Sequence, residues 1–392
     1  MDWHEYVDED LERELVGWRR HLHAHPELGF QEYETTAFIA NLLGEWNVPF
    51  ERPLETGVIG KIVGAKPGPT IAIRCDIDAL PITEENQTDY KSTASGRMHA
   101  CGHDGHTAIQ LGLAKILSGL TDQISGEIRL LFQPAEELVE SGARHFIDAG
   151  ALKGVDRIVG LHLWSGLDVG KMSIRSGPVM ASMDAFEIRI TGSGGHGAFP
   201  HQTIDALVIA AGLVAELQTV VSRRIDPLEP AVLTVGTFNA GTAFNVISGE
   251  AVLTGTARAL SDQVREQLEE SLRAITTRHA EGNGAKASVD YRRGSPPLVN
   301  SESMVEFVRP AAEAAVGHDE VVVQPPVMGG EDFAYYAKEI PAVFAFIGAR
   351  NSRIGADQPH HHPKFAIDES SMPTALKFLL NTVETATAGS PT

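Results

Sequence analysis

In the first part of the chain, apolar positions recur at helical spacing over residues 11–23 and 35–43, whereas residues 70–75, 127–132 and 157–161 are short, nearly continuous apolar runs. The first pattern predicts amphipathic helices and the second buried strands, with a further helix over 106–117 between them. Strands alternating with helices imply a largely parallel sheet covered on both faces, an α/β fold. Each run leads into polar residues: Asp76 and Asp78 after the first, Glu136 and Glu137 after the second, His162 after the third. These are the carboxyl ends of the strands, where open α/β sheets bind their ligands.

From about residue 183 the rhythm changes to strand 184–191, helix 203–221, strands 232–238 and 250–258, helix 261–279 and strand 285–292. That βαββαβ order predicts a ferredoxin-like α+β insertion. The expected division is therefore 1–182 plus 295–392 for one domain and 183–294 for the other, in keeping with a length of 392 residues. Residues 386–392 are expected to fray.

A hydrophobic content of 43% with 21% charged residues is that of a globular enzyme or binding protein. No run approaches eighteen apolar residues and the start, MDWHEYVDEDLERELV, is acidic and polar, so a cytoplasmic location is expected. Thirty-two basic against fifty-two acidic residues give a net charge of -20, which argues against nucleic acid and anionic membranes as partners. Two cysteines, Cys75 and Cys101, are too few for a disulfide scaffold and agree with a reducing compartment. Cys75, at the end of an apolar run, reads as a small buried hydrophobe.

Cys101 belongs to a different pattern, MHACGHDGH over 98–106, which gathers a thiol, three imidazoles and a carboxylate. Such a cluster is costly unless it holds a metal, yet Cys101 and His103 alone are too few ligands. Glu136 with Glu137, His162, and the triplet His360, His361 and His362 could complete it. Together they suffice for two ions, which need about five or six ligands, with one carboxylate left as a base. Adjacent side chains diverge, so one of Glu136 and Glu137 can bind metal while the other faces substrate.

Each feature also has a plainer reading. A Glu pair after a strand reads as a solvated surface, and His162 alone as a core histidine. His21, His23 and His25 form a rival cluster, although His21 and His23 fall on different helix faces. The glycine-rich loop 192–201 has the wrong spacing for a Walker-type phosphate loop, but its His196 could close over a substrate.

Taken together, RRHLHAHPELGFQE (19–32), RCDIDALP (74–81), MHACGHDGH (98–106), QPAEE (133–137), GSGGHGAFPH (192–201), FNVISGEAVLTGTAR (244–258), GGEDFAYY (329–336) and HHHPKF (360–365) resemble one family. It is that of the dinuclear metal amidohydrolases related to aminoacylase and zinc carboxypeptidases, in the branch of hippurate hydrolase and auxin amino-acid-conjugate hydrolases. The resemblance spans nearly the whole chain. It implies a zinc-peptidase-like catalytic domain and a lid or dimerisation domain at 183–294. It implies Cys101, His103, Glu137, His162 and His361 as metal ligands, His361 being selected by the H-x-P-x-F arrangement. Glu136 is implied as general base, taking a proton from the attacking water and returning it to the leaving amine. Asp78 and Asp104 are implied to orient ligands, and His196 to reach across a homodimer and stabilise the oxyanion. Asn245 and Arg258 match lid positions near the substrate.

The implied cofactors are two divalent ions, manganese or zinc, with cobalt and nickel also admitted by a mixed thiolate and carboxylate donor set. The implied reaction cleaves the amide bond of a small N-acyl amino acid into a carboxylic acid and a free amino acid, in a homodimer or tetramer. Three rivals remain: a dipeptidase or carboxypeptidase with the same dimetal site, a non-catalytic metal-dependent binding protein, which has no use for Glu136, and a purely structural metal. Two departures from the family pattern, Cys75 in place of alanine and Ser248 where proline is frequent, touch none of the implied ligands.

Overall fold

In the computed structural model, which describes residues 3–387, the three buried runs are central strands of an eight-stranded mixed sheet. Ser125–Gln133, Lys66–Asp76, Arg157–Asp168 and Ala342–Arg350 lie side by side and parallel. Val58–Val63 joins antiparallel on the Ser125–Gln133 side, and Met172–Ser173 antiparallel beyond Ala342–Arg350. Ile71 to Asp76 are all buried, as expected for a strand covered on both faces. Helices Glu9–Ala24, His103–Ser118 and Ser371–Thr387 contribute Leu15, Ile109, Leu113, Leu376 and Leu380 to the same core. Asp8 caps the first of them by accepting the Leu11 N–H, and acidic Glu9, Asp10 and Glu12 fill its first turn, where the helix dipole favours negative charge.

The sheet register sets the position of the chemistry. Asp76 pairs with Gln133, and two residues earlier Arg74 pairs with Gly160, so Asp76, Gln133 and His162 come level at one edge of the sheet. His162 is not after its strand, as the polar break suggested, but within it, because Arg157–Asp168 continues to pair with Ala342–Arg350 beyond the end of Lys66–Asp76.

The chain divides into two units: one runs to Gly177 and adds Val299–Pro325 and the residues from Tyr335 on, and the other comprises Pro178–Leu298 and Pro326–Ala334. The second unit is wider than the 183–294 expected. It takes in the later segment because the Val327 N–H donates to the Val179 carbonyl and the Ala181 N–H to the Gly329 carbonyl. Its Asp184–Thr191, Ala206–Arg223, Ala231–Ala240, Glu250–Ala259, Asp262–Gly282 and Lys286–Arg293 follow the βαββαβ order, and these four strands pair antiparallel in one sheet. Phe186, Ile188 and Ile190 alternate inward beneath Ile209, Leu213, Leu268 and Leu272 of the two helices. Ala206–Arg223 is long and apolar enough to cross a membrane by length and composition, although polar residues such as Glu216 and Gln218 interrupt its apolar run. Here one face of that helix is buried in the unit's own core. Ala386 and Thr387 belong to the last helix, and the rest of the segment expected to fray lies outside the described residues.

Candidate metal centre

The loop leaving Ser125–Gln133 carries Glu136 and Glu137, and carboxylates fix it at three consecutive amides. Glu32 Oε1 accepts the Ala135 N–H at 2.8 Å, and the two oxygens of Asp78 accept the N–H groups of Glu136 and Glu137 at 3.1 and 3.0 Å. Ala135 sits at φ 53°. A non-glycine residue in that region costs roughly 1–2 kcal/mol, and hydrogen bonds to charged acceptors contribute about 1.5–3 kcal/mol each, so the two to Asp78 already offset the strain. Burial and the neighbouring Asp78 charge push the Glu32 carboxyl up to about 7.

Hydrogen bonds then determine which imidazole nitrogen is left to face the cluster. His103 donates its Nδ1–H to the Asp78 carbonyl at 2.9 Å, which turns Nε2 toward the cluster. That Nε2 and Glu137 Oε1 lie 4.0 Å apart, both buried and without a hydrogen-bond partner. Two bare buried ligand atoms so close together are what a missing cation would explain. The Cys101 sulfur joins them, all three ligand atoms lying within 4.8 Å of one another. His361 Nε2 lies 3.2 Å from the same Glu137 oxygen. His361 is held at φ 66° by an N–H bond to the Ala100 carbonyl, a second strained residue at the cluster.

On the other side of Cys101, His162 donates Nδ1–H to the Leu163 carbonyl at 2.9 Å and turns Nε2 to within 3.4 Å of the sulfur. The five expected ligands are thus linked through Cys101 and Glu137. Their donor set of three imidazole nitrogens, one carboxylate and one thiol suits two divalent ions.

Burial and the carboxylates dominate the electrostatics of the cluster. Burial pushes the Cys101 thiol well above its ordinary range, and the Glu137 and Glu136 charges add to this. Burial lowers the His103 pKa, but Asp76, Asp78 and Glu137 together outweigh it and raise it to about 10. Burial, with His106 and His360 nearby, holds His162 neutral.

Two further histidines crowd the cluster. His106 spends both nitrogens elsewhere, donating to Asp76 Oδ1 at 2.6 Å and accepting the Leu163 N–H at 2.9 Å. It has no lone pair left for a metal, although its ring stacks on His103. His360 Nδ1 lies 3.8 Å from the Cys101 sulfur, and burial together with His361 lowers its pKa to about 3.

Asp104 requires a correction. It was expected to orient a ligand, but its Oδ2 accepts from Arg19 at 2.8 Å and meets His23 at 2.8 Å, while its Oδ1 has no hydrogen-bond partner. As the second residue of the His103–Ser118 helix, it faces the Glu9–Ala24 helix instead. The rival cluster of His21, His23 and His25 does not converge: His23 is buried between Asp104 and Glu84, while the His21 ring stacks on Phe38. Asp78 touches both the His103 ring and the Glu136 and Glu137 amides. Asp76 and His360 were placed at the site by the strand end and the histidine triplet but given no role; Glu32 and His106 were not singled out, although Glu32 closes the ELGFQE motif and His106 the MHACGHDGH motif, which was the available signal.

In the second unit His196 is exposed, on a two-residue strand paired with Val246–Ile247. Its Nδ1 accepts the Ala198 N–H at 3.0 Å, so in the neutral ring the proton is on Nε2. Asn245 is exposed beside it, its carbonyl accepting the Gly197 N–H at 2.8 Å. Arg258 is half-buried and donates to the Met328 carbonyl at 3.3 Å.

Residues 72–385 match the family model described as peptidase family M20/M25/M40. The chain belongs to that family. It is 50% identical over 295 residues to an N-acyl-L-amino acid amidohydrolase of Geobacillus stearothermophilus, covering 75% of this chain and 80% of that one. It is 45% identical over 371 residues to an N-acetyl-L-cysteine deacetylase of Bacillus subtilis (strain 168), covering 94% and 87%. Among solved structures, the Bacillus subtilis YXEP protein, a dinuclear metal-binding peptidase from the M20 family, superposes with a TM-score of 0.84 at 36% identity over 97% of this chain and 98% of that one. Membership in the M20 family accords with the expected α/β fold and makes the chain a metal-dependent amidohydrolase, with side chains gathered for two divalent ions.

Proposed function

We propose that the protein hydrolyses the amide bond of N-acyl amino acids to a carboxylic acid and a free amino acid. The observation that carries the reading is the convergence of Cys101, His103 and Glu137, in which His103 Nε2 and Glu137 Oε1 are buried and make no hydrogen bond. In this reading Cys101, His103, Glu137, His162 and His361 hold the two ions. When bound, the ions supply Lewis acidity at the scissile carbonyl and acidify water. Asp78 fixes the His103 ring and the backbone of the Glu136 loop. Glu136, adjacent to the ligand Glu137 but diverging from it, takes the proton of the attacking water and returns it to the leaving nitrogen. His196, with its proton on Nε2, donates to the developing oxyanion. Asn245 and Arg258 bind the remainder of the substrate.

A homodimer, in which His196 of one copy serves the site of another, is supported by exposed Val208, Phe238, Phe244 and Val246 in the same unit. The free thiols of Cys75 and Cys101 support a cytoplasmic location. Manganese or zinc is assigned as the native metal. The test is a panel of N-acetyl and N-benzoyl amino acids and free dipeptides, assayed for released amine after loading with manganese, zinc, cobalt or nickel. The N-acyl substrates are expected to turn over at least 10-fold faster, in kcat/KM, than any dipeptide. A preference for dipeptides would make the protein a peptidase instead.

A further inference from the structure

His360 lies close enough to Cys101 and His162 for its nitrogen to be counted with theirs as a metal ligand: one ligand atom from each of the three residues falls within 4.8 Å of the others. Hydrogen-bond accounting gives it another role. The Ser165 backbone N–H, which can only donate, points at His360 Nε2 from 3.1 Å. That nitrogen must therefore carry the lone pair, and the ring proton is on Nδ1. Nδ1 is the atom facing the Cys101 sulfur at 3.8 Å. The ring cannot flip freely to present the other edge, because Trp164 packs on it at 4.5 Å, Phe365 at 5.0 Å and the His162 ring stands edge-on at 5.0 Å.

We propose that His360 is a positioning residue that donates its Nδ1–H to the Cys101 thiolate and is not itself a ligand. The inference rests on Cys101 binding metal as the thiolate. A hydrogen bond to that sulfur draws electron density from it, which stabilises the anion and holds it in one direction at the metal. Of the neighbouring histidines, His361 turns its Nε2 toward Glu137, while His360 presents a proton to the sulfur.

The experiment loads wild type, His360→Leu and His360→Gln with cobalt(II) and records metal stoichiometry and the near-ultraviolet sulfur-to-cobalt charge-transfer band. Glutamine can still accept from Ser165 but has no donor where Nδ1 stands, so it also serves if the leucine variant fails to fold. Both variants are expected to bind as many cobalt ions as wild type, with the band moved to longer wavelength and cobalt affinity reduced roughly 10-fold or more. His360→Asn, whose amide nitrogen falls near Nδ1, is expected to restore the band toward its wild-type position. Loss of a cobalt equivalent in His360→Gln would make His360 a ligand and overturn the proposal, as would a band that does not move. A wild-type cobalt protein with no such band would instead remove Cys101 from the ligand set, and the role of His360 would fall with it.

Discussion

His103 and His162 of the first unit and His196 of the second are held in opposite ways. His103 and His162 are buried, and each has its far nitrogen tied to a carbonyl, so the nitrogen that faces the cluster is fixed in direction. His196 stands exposed on a short strand, steadied by an N–H from its own loop. Buried groups pre-organised by packing suit metal ligation, where an error of a few tenths of an ångström is costly. An exposed imidazole costs little stability to keep or to lose, which suits a group that acts on substrate. Substitutions should therefore separate the two regions by what else changes along with activity.

The largest effect is expected at Glu136, which is close to the ligands without being one in the proposed mechanism. Glu136→Gln should lower kcat by about 1,000-fold with metal content unchanged, read by amine release and atomic absorption on the same sample. Near-normal turnover would remove it as the base. His196→Ala should lower kcat by roughly 100-fold or more and leave the melting temperature where it was, because the side chain packs on so little. A marked loss of thermal stability would show that the exposed histidine has a structural role. Asp78→Asn tests the buried region directly: metal affinity should weaken by about 10- to 100-fold, together with a lower melting temperature, since the same carboxylate holds the Glu136 and Glu137 amides.

At Glu32 the effect is confined to the pH dependence of stability. Its carboxyl is raised to about 7 from an ordinary 4.5, so the folded metal-free protein binds a proton there that the unfolded chain releases. The stability of the metal-free protein should therefore fall as pH rises from 4.5 through about 7 and level off above, by up to about 3 kcal/mol. Glu32→Gln should flatten that slope in urea melts taken across the same range. An unchanged slope would assign it to other groups.

Much of this was legible in the residues. The buried runs at 70–75, 127–132 and 157–161 announced their strands, because burial on both faces leaves no polar position to blur the pattern. Ala342–Arg350, equally buried, lies next to Arg157–Asp168 in the sheet although the two are far apart in sequence, a pairing that no local pattern encodes. Cys101, His103, Glu137, His162 and His361 were recognisable as a set by motif. The direction of Asp104 was not: one residue after His103 on a helix, it points about 100° away, and its partner Arg19 comes from a helix packed by tertiary contacts. Tautomers were illegible for the same reason, since the role of His360 depends on the Ser165 amide, distant in the chain.

The later segment Pro326–Ala334, which completes the second unit, bears on the order of synthesis. As the chain leaves the ribosome from its N-terminus, the strands and helices up to Leu298 are available early, but the backbone partners of Val179 and Ala181 emerge only some thirty residues later. The first unit waits longer still, for Ala342–Arg350 to fill the centre of its sheet and Ser371–Thr387 to cover it. A nascent chain stalled before residue 334 therefore leaves both halves unfinished, and neither can be cut out as one continuous piece.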